Sequence, residues 1–285
     1  MKQSDYLKLL RLVRTAIDEY KNWGEDELVL DKSMQLQVSE IKTFAAKSVP
    51  AKTQEAPKKE DEKNIKKEVV QMKNDIKQKP VLKKNIQTKN AEQKLEDLKN
   101  KISACKKCEL GKHRLNAVCG SGDPYANIMF VGEGPGFQED HEGQPFIGRA
   151  GDLLTKIIEA MGYKRETVYI ANIVKCHPMK NPENPELKGN DRPPTPEEMQ
   201  TCQPYLDEQI KIISPKVIVT LGASSTRALL KTDDVISNLR GNFTKYNGIP
   251  LMPTYHPAAL LRNPKLKRDV WHDMQKVMAL VNKKG

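Results

Sequence analysis

Aromatic residues make up only 5% of the 285 positions, and no apolar run approaches the roughly 20 residues that a membrane-spanning helix needs. A spanning segment and a membrane partner are therefore not expected. The N-terminus also lacks the compact apolar stretch and small-residue cleavage site of a secretory leader, so a cytoplasmic chain is expected. Cysteines number five. An odd count in a reducing compartment does not suit a disulfide framework and turns attention to a metal or cluster site. Negative charge is in deficit, with Lys+Arg 48 against Asp+Glu 37 for a net +11. That balance suits a polyanionic partner and decides nothing about fold.

Composition divides the chain. Residues 5–23, DYLKLLRLVRTAIDEYKNW, place Leu9, Leu10, Val13, Ala16, Ile17 and Tyr20 on one helical stripe behind a possible Asp5 cap. Residues 1–30 are thus expected to form a short amphipathic segment, suited to docking on a protein partner or on the main domain. Lys47 to Lys89 hold thirteen lysines, six acidic residues and no aromatic. Such a stretch buries too little apolar area to offset an ordering cost of roughly 1–2 kcal/mol per residue, so residues 31–90 read as a disordered Lys-rich linker. It serves either as a solvated tether or as a salt-sensitive contact to phosphates. Residues 91–285 are expected to be the globular domain. Its strands at 127–131, 168–174, 216–221 and 249–254 alternate with helices near 150–161, 196–213, 223–230 and 265–281. This alternation predicts an α/β fold with a mainly parallel sheet and helices on both faces.

Chemistry is expected where the first buried strand, Ile128 to Val131, gives way to Gly132, Glu133, Gly134, Pro135 and Gly136. Ligands sit at the carboxyl ends of strands in open α/β sheets, and glycine lets the backbone turn there. Three more chemistry-bearing residues fall at strand ends on that presumed edge: Phe146 in GQPFIG, Asn172 in YIANIV, and His256 in YHPAALLR. An aromatic face, an amide, an imidazole and the Glu133 carboxylate are what a pocket for a flat heterocycle requires. Cys105 and Cys108 form a C-x2-C pair, while Cys176 ends a strand and Cys202 lies on the helix opened by PTPEEM. On spacing alone an iron-sulfur cluster, zinc and coincidence stay open. Cys119 reads as a small apolar residue. Lys175, Lys180 and Arg192 are possible phosphate contacts.

GEGPG, the preceding C-x2-C, GQPFIGRAGDLL, ANIVKCHP and YHPAALLR, in that order, closely resemble family 4 uracil-DNA glycosylases, from roughly Leu95 to Val281. The resemblance implies a three-layer α/β/α sandwich on a four-stranded mainly parallel sheet. It implies a monofunctional enzyme that removes uracil from single- or double-stranded DNA, and a monomer is expected. It also implies a 4Fe-4S cluster on Cys105, Cys108, Cys176 and Cys202, structural rather than redox in role. Phe146 would stack on the flipped uracil, Asn172 would read its N3–H and O4 edge, and Gly132, Glu133 and Gly134 would frame the base. His256 would stabilise charge at O2. Glu133 or Glu139 would position the water, because Gly134 stands where better-known uracil glycosylases carry aspartate. Leu260, Leu261 and Arg262 would form the loop that enters the minor groove. Two alternatives accompany this reading: a cluster- or zinc-bearing nucleic-acid-binding module without glycosylase activity, and a crosslinking relative, whose basic His-containing loop has no counterpart here.

Overall fold

The computed structural model describes residues 84–283. The amphipathic helix expected in residues 1–30, and the linker as far as residue 83, lie outside the described residues. In chain order the elements are α1 (Lys84–Ser103), α2 (Leu110–His113), β1 (Ser121–Gly122), β2 (Ile128–Gly132), α3 (Phe137–Glu142) and α4 (Arg149–Ala160). A single 3-10 turn (Arg165–Thr167) then leads into β3 (Tyr169–Asn172), α5 (Pro196–Ile213), β4 (Val217–Leu221), α6 (Ala223–Leu230) and α7 (Ile236–Leu239). The chain ends with β5 (Thr244–Tyr246), β6 (Ile249–Thr254), α8 (Pro257–Arg262) and α9 (Leu266–Val281).

The sheet order is β1-β3-β2-β4-β6-β5. Its middle, β3-β2-β4-β6, is parallel throughout, as expected. Two short strands extend it: β1 pairs antiparallel with β3, and β5 pairs antiparallel with β6, giving six strands rather than four. Every residue of β2, β3 and β4 is buried. A strand buried at every position has cover on both faces, which is why these segments read as continuous apolar runs. Met129, Val131, Ala171, Ile218 and Leu251 share one core with Leu206, Ile210 and Ile213 of α5 and Leu229 of α6. The chain leaves β2 for β3 on one side and later returns to β4 on the other. The carboxyl end of β2 is therefore the point where the winding reverses, the usual place for a ligand.

Helix α5 has its start fixed by side chains. Thr195 accepts from the Glu198 amide at 3.2 Å, and Glu198 accepts from the Thr195 amide at 2.8 Å, a reciprocal capping box. Arg192 grips the same carboxylate through both terminal nitrogens, at 2.7 and 2.9 Å, and holds its pKa below the usual carboxylate range. Replacing Thr195 with Ala should lower stability by about 1 kcal/mol, measured by denaturant unfolding. An unchanged midpoint would show that the Arg192–Glu198 pair alone fixes the helix start.

Candidate active site

β2 and β3 run in a register that sets Gly132 beside Asn172. Gly132 leaves room for two side chains: a Cβ at that position would lie 2.4 Å from both Asn172 Oδ1 and Phe146 Cζ. Glycine is therefore demanded by close approach. Asn172 is 1% exposed, and its Oδ1 has no hydrogen-bond partner among the described residues. An unpaired buried acceptor costs about 1–3 kcal/mol, a penalty that a ligand donor would remove.

Phe146 is buried, and its φ of 53° lies in the left-handed region, unusual for an aromatic residue. The segment around it is tied down by Glu139. One oxygen of Glu139 accepts from the Ile147 and Gly148 amides at 3.1 and 3.3 Å, and the other accepts from the Gly136 amide at 3.1 Å. Glu139 thus joins the glycine loop to the Phe146 segment. By contrast, Glu133 is partly exposed, and no hydrogen bond or ion pair engages its carboxylate among the described residues.

The Phe146 ring lies 5.6 Å from the His256 ring, centroid to centroid, with 35° between planes. His256 caps α8, and its Nδ1 accepts from the Ala258 amide at 3.1 Å. Gly222 makes room for it, since a Cβ there would fall 2.9 Å from His256 Cβ. Sequence reasoning missed Gly222, although a glycine closing the strand VIVTL is the same signal that marked Gly132. Burial pushes the imidazole pKa down to about 4; nearby Arg262 acts in the same direction and Glu139 opposes both. The ring is therefore neutral at pH 7. With Nδ1 accepting, its proton sits on Nε2, which makes His256 a neutral hydrogen-bond donor.

The minor-groove expectation needs one correction. Leu260 is 1% exposed and belongs to the core, whereas Leu261 is 42% exposed and Arg262 is exposed beside it. A six-residue helix cannot present two successive residues on one face, so one leucine faces inward. Lys175 also departs from expectation. It is fully buried, and its ammonium donates to the Asn172 carbonyl at 2.6 Å and to Gln209 Oε1 at 2.7 Å, out of reach of any phosphate. Burial lowers its pKa to about 8. Arg192 is spent on Glu198. The loop at 181–191 closes around the buried Asn190, whose amide bonds the Asn181 amide and carbonyl and the Asn184 carbonyl at 2.7, 2.8 and 3.1 Å.

Cys105, Cys108, Cys176 and Cys202 line one small cavity, together with Arg114, Lys175 and Tyr205. Arg114 donates to Cys176 Sγ at 2.8 Å. Burial pushes the Cys176 thiol up to about 12 and raises Cys202 as well, with Arg114 and Lys175 pulling the other way. Among the described residues no group of three or more His, Cys, Asp or Glu forms a site for a single metal ion. Cys119 packs separately with Leu98 and Ile102, as a small apolar residue.

Because the His256 pKa is depressed from 6.5 to about 4, its contribution to stability is fully present above pH 6.5 and is lost as pH falls towards 4. An NMR titration should show the His256 imidazole still neutral at pH 5.5. A midpoint near the ordinary value would mean that water reaches the ring.

Comparison with known proteins bears on the same stretch. The uracil DNA glycosylase superfamily model matches residues 119–275. The type-4 uracil-DNA glycosylase of Sulfurisphaera tokodaii is 45% identical over 195 residues, covering 65% of this chain and 84% of that protein. Those of Saccharolobus solfataricus and Thermotoga maritima are 42% identical over 199 residues and 41% over 198, covering 67% and 68% of this chain and 88% and 98% of their own lengths. The match runs through the strands whose ends carry Gly132, Asn172 and His256, and on that extent of likeness the chain belongs to the uracil-DNA glycosylase superfamily.

Proposed function

We infer that the chain is a uracil-DNA glycosylase, which takes uracil out of DNA and hydrolyses its N-glycosidic bond to leave free uracil and an abasic site. The observation that carries the reading is the buried, unpartnered Asn172 Oδ1 beside Gly132 and Phe146. Flipping the base costs a few kcal/mol. Stacking on Phe146 returns about 1–3 kcal/mol. Asn172 Oδ1 accepts the N3–H of uracil, and its NH2 group donates to O4. Cytosine presents an acceptor at N3 and a donor at N4, so the same amide meets like against like and leaves buried groups unpaired.

As the glycosidic bond breaks, the sugar gains oxocarbenium character and the departing pyrimidine gains negative charge. His256 donates Nε2–H to O2, where that charge gathers. A neutral donor suffices, because placing it correctly in a water-poor site lowers the barrier without any proton transfer. Of the two acidic residues, Glu133 is the better group to orient water: Glu139 already uses both oxygens on backbone amides. Leu261 fills the gap left by the base, and Arg262 meets a neighbouring phosphate. Four thiols around one cavity, with no carboxylate or imidazole among them, are a soft donor set that fits an iron-sulfur cluster. Bound there, a 4Fe-4S cluster supplies a covalent tie rather than redox chemistry. Cys105 and Cys108 follow α1, Cys176 follows β3, and Cys202 lies in α5, so the tie joins three elements behind the pocket. The Lys-rich linker adds nonspecific affinity for DNA, and residues 1–30 dock a protein partner. The protein works as a cytoplasmic monomer.

The test is uracil release from a labelled oligonucleotide carrying one uracil, followed by alkali to cut abasic sites, with a cytosine control. Cleavage confined to the uracil position is expected. Asn172→Ala and His256→Ala should each lower kcat about 100-fold or more while DNA affinity changes little, as for loss of one charge-stabilising donor. Wild-type turnover in either variant would remove the assigned role. A covalent adduct surviving denaturation would point to the crosslinking alternative. Removing residues 1–83 should weaken DNA binding and flatten its salt dependence while base release persists. Equal salt slopes would leave the linker as a tether only.

A further inference from the structure

The strained backbone of Phe146 is held from both sides. Glu139 takes the amides that follow it, Ile147 and Gly148. On the preceding side, Arg165 donates through Nη2 to the carbonyl of Pro145, and through Nη1 to Thr155 Oγ1 at 3.2 Å. Thr155 in turn donates to the Gly151 carbonyl at 3.1 Å. Gly151 lies directly against Phe146, since a Cβ there would fall 2.0 Å from the Phe146 carbonyl oxygen. These four residues hold one strained residue from both sides. A left-handed aromatic persists only where its surroundings over-determine it, and here they do.

Arg165 itself has little to gain in stability. It is partly buried, desolvation lowers its pKa, and none of the ion pairs among the described residues includes it. Glu139, Asp152 and Glu166 act on it only at longer range. A cation drawn out of water to hold a carbonyl and a hydroxyl, with no carboxylate at contact distance, is poorly explained as a fold-stabilising pair. What its donors fix is the carbonyl immediately before Phe146.

We propose that Arg165 is a positioning residue for base recognition: by holding the Pro145 carbonyl and the Thr155 hydroxyl, it keeps the Phe146 ring in the pose that stacks on uracil. The inference rests on the base-stacking role given to Phe146 above. It adds a residue outside the strand-end pocket, on the turn that precedes β3.

The experiment compares wild type, Arg165→Met, Arg165→Lys, Phe146→Ala and the Phe146→Ala/Arg165→Met double variant, all as full chains. It measures kcat and KM on a uracil oligonucleotide, inhibition by free uracil, and thermal unfolding. Arg165→Met should raise the uracil inhibition constant and lower kcat by about tenfold, a large part of one base–aromatic stack, with KM for DNA within about twofold. Arg165→Lys, which keeps the charge but not the fork that spans both acceptors, should fall between wild type and Arg165→Met. In the Phe146→Ala background, Arg165→Met should add less than about twofold, because the two residues act as one unit. Unchanged uracil inhibition in Arg165→Met, or a full-sized effect in the Phe146→Ala background, would overturn the proposal. If Arg165→Met does not fold, Thr155→Val takes its place: about threefold weaker uracil inhibition supports the proposal, and an unchanged constant overturns it. No uracil release by folded wild type would instead overturn the glycosylase reading, so the two failures are distinguishable.

Discussion

The parallel pairing of β2 with β3 is the constraint on which the site depends. It sets Gly132 beside Asn172, and the missing side chain at Gly132 is filled by the amide oxygen of one neighbour and the ring of another. A shift of one residue in that register would turn Asn172 to the opposite face of the sheet and bring Ala171 to the ring. Such a shift is resisted along the whole strand, because both faces of β2 and β3 are buried and each residue has only one place in the core. The position of Asn172 is therefore secured by apolar packing along both strands.

Helix capping does similar double duty at the other wall. The Ala258 amide is one of the unsatisfied donors at the start of α8, and His256 Nδ1 satisfies it. The same bond decides which nitrogen carries the imidazole proton, so local helix geometry sets the chemical role of the ring. Burial then keeps the ring neutral. On the facing wall, Glu139 assigns its charge to three backbone amides, which leaves Glu133 as the carboxylate open to solvent at this rim. Two acids six residues apart, one in the glycine loop and one in α3, thereby meet different surroundings.

Much of this was legible from residue pattern. The four parallel strands announce themselves because burial on both faces writes unbroken apolar runs, and α5 because PTPEEM carries its own cap. Edge strands β1 and β5 do not. Ser121–Gly122 has too few residues for any period, and β5 is polar; its only written sign is Asn247–Gly248, with φ of 49° and 82°, the pair that suits a tight hairpin. Asn172, Phe146 and His256 were visible as polar or aromatic interruptions at strand ends. Arg165 was not, because its action runs through a carbonyl distant in sequence. Nor does composition show that Leu260 faces inward and Leu261 outward, which is settled by the packing of α8 against α4, or that the lysine in ANIVKC is buried among carbonyl oxygens rather than offered to phosphate.

That lysine ties two parts of the molecule together. Lys175 lines the cavity of the four cysteines, and its ammonium holds the backbone carbonyl of Asn172. Its two hydrogen-bond acceptors are neutral oxygens, and no carboxylate pairs with it among the described residues. A change at the cysteine cavity therefore has a path of a single nitrogen atom to Asn172, the residue proposed to read the base.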